Sequence, residues 1–189
     1  MTSFFSATVG PVPAMMLVVL AVVCAVTDLW KGKIYNKVTY SAILAGFAVH
    51  LWLGGVHGLW SSLGGFAVGY FPAFLLFMLG GLGGGDVKLL GAIGAIAGAI
   101  AATETLILAF LFGAVFALCK LAWHGRLFAS FGRVLRTMAG YLVPGLSKQP
   151  LVAAGQEPMT VRFGVAICVA TLATLWDLRA GGLWALVAS

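Results

Sequence analysis

Asp28 and Asp86 stand where an apolar chain has least reason to carry charge. Asp28 closes the first hydrophobic run, and Asp86 lies in Gly83-Gly84-Gly85-Asp86-Val87-Lys88, which opens the fourth. The chain holds only five acidic residues, and an ionisable group near a bilayer is expensive and commonly retained for a function. Two carboxylates brought together can hydrolyse an amide without a metal or a nucleophilic side chain. One, ionised, takes a proton from water; the other, protonated, polarises the carbonyl, and sharing a proton at close range lets a single pair fill both roles. Helix dipoles at the two positions would favour the ionised form of Asp86 and the protonated form of Asp28, with the pair titrating as a unit. The three glycines before Asp86 allow a tight turn and the approach of an extended substrate. Non-helical backbone at membrane depth is tolerated only against protein or water, so a wet cleft is expected there. Lys88 either tunes the pair electrostatically or marks a membrane boundary.

The elements that must position this pair are read from hydropathy. With 62% hydrophobic residues, 8% charged and a mean hydropathy of +1.09, the chain has too little polar surface for a soluble domain. The fold class expected is all-α, a polytopic membrane helical bundle with about six transmembrane helices. The spans run roughly Val9 to Thr27, Val38 to Leu53, Leu59 to Leu79, Leu89 to Ala102, Thr105 to Ala122 and Val161 to Trp176. Only Thr103-Glu104-Thr105 interrupts the fourth and fifth. Spans of ~17 to 25 residues consume the chain, so residues 1–189 are expected to form a single membrane-embedded domain.

Lysine and arginine fix the orientation. Lys31, Lys33 and Lys37 follow span one, Lys88 follows span three, and Lys120, Arg126, Arg133, Arg136, Lys148 and Arg162 follow span five. The loops around His57 and Glu104 have neither, so the basic loops are cytoplasmic and both termini face outward. Asp28 and Asp86 then reach the same, cytoplasmic, face. The first run lacks a basic n-region and ends at a candidate catalytic residue, which reads as a retained helix rather than a cleaved signal. A cytoplasmic basic loop is expected at about 123–160. In it, Leu127, Phe128, Phe131, Val134, Leu135, Met138 and Leu142 recur at helical spacing, describing either an interfacial helix on anionic lipid or a linker obeying the positive-inside rule.

The same rule accounts for the net charge of +6 without nucleic acid as a partner. Cys24, Cys119 and Cys168 are isolated, with no CxxC, and His50, His57 and His124 form no HExxH, so neither a metal site nor a cofactor is expected. Gly65-x-x-x-Gly69 and Gly94-x-x-x-Gly98 permit close helix approach, within the bundle or in a homo-oligomer. Asn36 either hydrogen-bonds near the site or caps span two, and Asp86 could itself be an N-cap. Asp177 and Glu104 fall on the outer face and are not catalytic candidates.

Gly83-x-Gly85-Asp86-x-Lys88-Leu89 resembles the GxGDxKL motif of type IV prepilin peptidases, a branch of the GxGD intramembrane aspartyl proteases. Asp28 followed by a basic stretch and Ile34-Tyr35-Asn36 is similar to that family's first aspartate motif, with Tyr35 in place of the usual Pro. Arg162-Phe163-Gly164 is similar to a late Pro-Tyr/Phe-Gly motif, with Arg162 in place of Pro. The resemblance implies a membrane aspartic endopeptidase with Asp28 and Asp86 catalytic and Gly83, Gly85, Lys88 and Asn36 supporting the site. It implies removal of the leader from a prepilin, just before the substrate's hydrophobic helix, at the cytoplasmic face of a bacterial inner membrane. Lacking paired CxxC motifs, the chain is similar to the short, peptidase-only members associated with Flp/Tad-type pili. The rival class is a small ion-coupled transporter with Asp28 and Asp86 as a proton or cation site. No inverted repeat is visible, and both acids lie at one face rather than at the midplane. A noncatalytic pilus-assembly component is a second rival, against which the intact carboxylates argue.

Overall fold

A computed structural model describes residues 9–79, 81–123 and 163–180. Among the described residues there are five helices and no strand: α1 (Pro11–Lys31), α2 (Asn36–Met78), α3 (Gly84–Ala97), α4 (Ala99–Trp123) and α5 (Phe163–Ala180). The all-helical bundle read from composition is therefore the fold. Helices α1, α2, α3 and α5 and α4 as far as Gly113 belong to one compact unit, Met1–Gly113 with Arg162–Ser189; a second, Ala114–Val161, is represented among the described residues by the end of α4. The expected basic loop at about 123–160, with Arg126, Arg133 and Arg136, lies outside the described residues apart from Trp123, as does Arg162.

Pro11 opens α1 at a position where its missing N–H is no loss. The helix runs on to Lys31 and stops because Gly32 adopts φ 60°, donating its N–H to the Asp28 carbonyl at 2.9 Å. Asp28 thus lies inside the last turn, not beyond a helix ending at Thr27. Leu17, Leu20, Ala21, Cys24 and Asp28 form the buried stripe, recurring at intervals of three and four residues.

Helix α2 has 43 residues, about 65 Å of helix and twice the thickness of a hydrocarbon core. It breaks at Gly55, whose φ of 56° and ψ of −145° are non-helical. A Cβ built on Gly58 would lie 3.0 Å from the His50 carbonyl carbon, so the chain folds back there. The two parts, residues 36–54 and 56–78, cover the second and third spans expected from hydropathy.

Helix α3 lies along both parts. Asn36, Gly46 and His50 meet Lys88, Ala95 and Ile96 in parallel order, whereas Gly65, Gly69 and Phe77 meet Gly94, Leu90 and Gly84 in antiparallel order. The GxxxG glycines are where backbones approach: a Cβ on Gly65 would come within 2.8 Å of the Gly98 Cα. Val87 and Leu89 through Ile96 are all buried, making α3 the core. Its last carbonyls lack helical partners; His50 Nε2–H donates to Ile96 O at 2.9 Å, and the Ser62 hydroxyl donates to Ala95 O.

Gly98, at φ 82° and ψ 174°, separates α3 from α4. The boundary expected at Thr103-Glu104-Thr105 is therefore displaced: these residues are helical, and the Glu104 carboxylate oxygens are buried. A backbone conformation, not polarity, makes the break. Helices α4 and α5 run antiparallel, with Thr105 Oγ1 donating to Thr174 Oγ1 at 3.1 Å and the Phe110 and Phe163 rings 5.8 Å apart.

Helices α1, α2 and the Ala99–Lys120 part of α4 are long and apolar enough to cross a membrane. Large apolar side chains such as Trp52, Val19 and Leu111 are exposed around the bundle, a surface that suits lipid. This is a membrane protein.

Candidate active site

The bundle brings every sequence-predicted site residue to one end, where α1 stops and α2 and α3 start. The turn Gly32–Tyr35 carries the chain from α1 to α2, and its Ile34 side chain packs on α3: a Cβ on Gly85 would lie 3.1 Å from Ile34 Cβ. Helix α3 is tied to α2 a second time. Lys88 Nζ donates to Asn36 Oδ1 at 2.9 Å and lies 5.1 Å from the centre of the Tyr40 ring, a cation over an aromatic face. Asn36 therefore does not cap α2; Tyr35 holds the N-cap position, with no side-chain cap bond.

The glycine run acts differently from a tight turn. Gly83 is the N-cap of α3 in extended conformation, Gly84 and Gly85 are its first helical residues, and none of the three has a positive φ. Bare Cα atoms instead admit close neighbours. The Asp86 carboxylate folds back over Gly83, where a Cβ would be 2.9 Å from Oδ2; the Phe77 ring covers Gly84 and Ile34 covers Gly85. Asp86 is not the N-cap but sits in the first turn, its N–H donating to Gly83 O at 3.1 Å.

Asp28 is buried, at 7% exposure, on the face of α1 that meets α5. Directly across is Gly164, where a Cβ would lie 2.8 Å from Asp28 Oδ2, 3.1 Å from Cγ and 3.2 Å from Cβ. Asp86, at the start of α3, stands at the same end of the bundle, and Cys24 lies one helical turn before Asp28 on the buried stripe of α1. Cys24 and Cys168 are buried. Gly164 and Tyr40 were not among the residues singled out for the site by sequence. For Gly164 a signal exists in the Phe163-Gly164 pair of the late motif; for Tyr40 the only clue is its place one helical turn after Asn36.

Two carboxylates, one buried against bare backbone at the end of α1 and the other partly buried at the start of α3, can supply the acid and the base that hydrolysis of an amide by water needs. The fold and this end of the bundle define an all-helical membrane protein with two carboxylates brought to one site. The sequence profile of the type IV leader peptidase family matches residues 15–118, over half of the chain and both aspartates. The chain belongs to that family and is a peptidase of the type IV leader class, acting on prepilins. Neither curated proteins nor solved structures give a match.

Proposed function

We propose that Asp28 and Asp86 are the catalytic pair of an aspartic endopeptidase that removes the leader from Flp/Tad-type prepilins at the cytoplasmic face of a bacterial inner membrane. The observation that carries this reading is that the end of α1 with Asp28 and the start of α3 with Asp86 lie at the same end of the bundle, joined through Ile34 on Gly85 and Asn36 on Lys88. The ionised carboxylate takes a proton from water as the oxygen attacks the scissile carbonyl. The protonated carboxylate donates to the carbonyl oxygen, and the tetrahedral intermediate collapses with the proton passing to the leaving amine. The placement of Asp86 in the first turn of α3 and of Asp28 in the last turn of α1 supports Asp86 as base and Asp28 as acid.

In this reading residues 1–189 are one multi-pass peptidase domain with both termini outside and the segment at about 123–160 on cytoplasmic lipid. The GxxxG glycines are used inside the bundle, between α2 and α3, which leaves a homo-oligomer without need of them. Lys88, Asn36, Gly83 and Gly85 support the site by fixing the start of α3. Asp28→Asn and Asp86→Asn, each coexpressed with a prepilin, are expected to leave the chain in the membrane and abolish leader removal, read by mass. Full processing by either variant would remove the assignment.

A further inference from the structure

An apolar groove of about 400 Å³ opens between α1 and the first part of α2. Its walls include Met15, Val19 and Val23 on one side and Val38 and Ala45 on the other, and Ile96 of α3 lies at its base. We infer that this groove receives the apolar segment of the substrate that follows the cleaved bond. The inference rests on the leader-peptidase reading above and adds to it the place where the uncut chain is held.

Continuity with the site carries the argument. One wall of the groove is α1, which carries Asp28, and its base is Ile96 of α3, the helix that carries Asp86, so a guest packed in it rests on the same helices as the reacting groups. Val23 is five residues from Asp28, ~7.5 Å along α1, and Met15 is ~20 Å away; Ile96 is ~15 Å from Asp86 along α3. Residues five apart stand ~140° apart around a helix, so the path from Asp28 to Val23 is ~12 Å, about four residues of a substrate leaving the site extended at ~3.3 Å per residue. The stretch from Val23 to Met15, ~12 Å, then houses about eight helical residues. Substrate positions roughly four to twelve after the cleaved bond are thereby placed in the groove. Ser41 is its one polar side chain, so a charged segment is disfavoured. Unbranched, polarisable Met15 and Met16 suit a surface that accepts varied side chains.

The test introduces a photo-crosslinking residue at Val19, Ala45 or Leu111 in the Asp86→Asn background, reconstituted with uncut prepilin. Val19 and Leu111 are similarly exposed, at 62% and 56%, but Leu111 lies on α4, away from the groove. Prepilin adducts at 19 and 45, mapping to the positions given above and absent at 111, are expected. Adducts to lipid alone at 19 and 45, or equal prepilin yield at 111, would overturn the inference. In the active enzyme, Ala45→Phe should raise KM for prepilin at least tenfold while Leu111→Phe leaves it unchanged; an unchanged KM in both overturns it too. Processing that survives Asp28→Asn removes the paired-aspartate reading, and the groove with it. Loss of processing in Asp28→Asn together with normal KM in Ala45→Phe overturns the groove alone.

Discussion

Gly164→Ala tests whether the bare backbone of α5 sets the position of Asp28. The added methyl would lie 2.8 Å from Oδ2, against 3.4 Å where ordinary contact begins. The carboxylate must therefore retreat by about 0.6 Å, or α5 must move away, and a displacement approaching 1 Å in a reacting group costs up to about a hundredfold in rate. Overpacking of this kind costs about 1–3 kcal/mol in stability. The expected result is a fall of about ten- to a hundredfold in kcat for leader removal, with KM little changed, because a reacting group and not a substrate contact is displaced. Initial rates would be followed by mass in proteoliposomes, with thermal unfolding in detergent measured alongside. Gly64→Ala, at a glycine with nothing within 4 Å, is the control and should leave both quantities unchanged. A Gly164→Ala rate within twofold of wild type, at full expression, would refute the reasoning.

Asn36→Ala removes the acceptor of Lys88 Nζ at an exposed site; a loss of about 1 kcal/mol in holding the start of α3 should lower kcat about fivefold, and an unchanged rate would show that the Lys88 contact does not position Asp86. Gly98→Ala forces a side chain into φ 82°, ψ 174°, a conformation almost confined to glycine, and should destabilise the bundle by about 1–3 kcal/mol; an unshifted melting temperature would contradict the break assigned there. His50→Ala leaves the Ile96 carbonyl without its imidazole donor, with an expected loss of about 1–3 kcal/mol by thermal unfolding. Unaltered unfolding would mean that water or another donor replaces the imidazole.

What could be read from sequence follows from the range of the forces involved. Hydropathy reports burial along the chain, so α1, the two parts of α2 and α5 were legible within a few residues. Asp28 and Asp86 were legible because a charge in an apolar run is conspicuous. Helix ends set by backbone geometry were not. Asp28 seemed to close a helix that Gly32 closes, and the break at Gly98 lies between alanines, where hydropathy has no feature to report. Contacts between distant segments were also hidden: Lys88 meets Asn36 from 52 positions away, and Gly164 meets Asp28 only because α5 returns against α1. The glycine run was correctly tied to Asp86, but for close approach rather than for a turn, a distinction that depends on φ values and neighbouring side chains.

The central claim is that Asp28 and Asp86 act as one catalytic unit, and a double-substitution cycle tests it most directly. Single-turnover leader removal would be measured for wild type, Asp28→Asn, Asp86→Asn and the double variant in identical proteoliposomes. Groups that work as a unit are non-additive, so all three variants should fall to the same residual rate. Losses that multiply in the double variant, or a single variant that retains full activity, would contradict the pair.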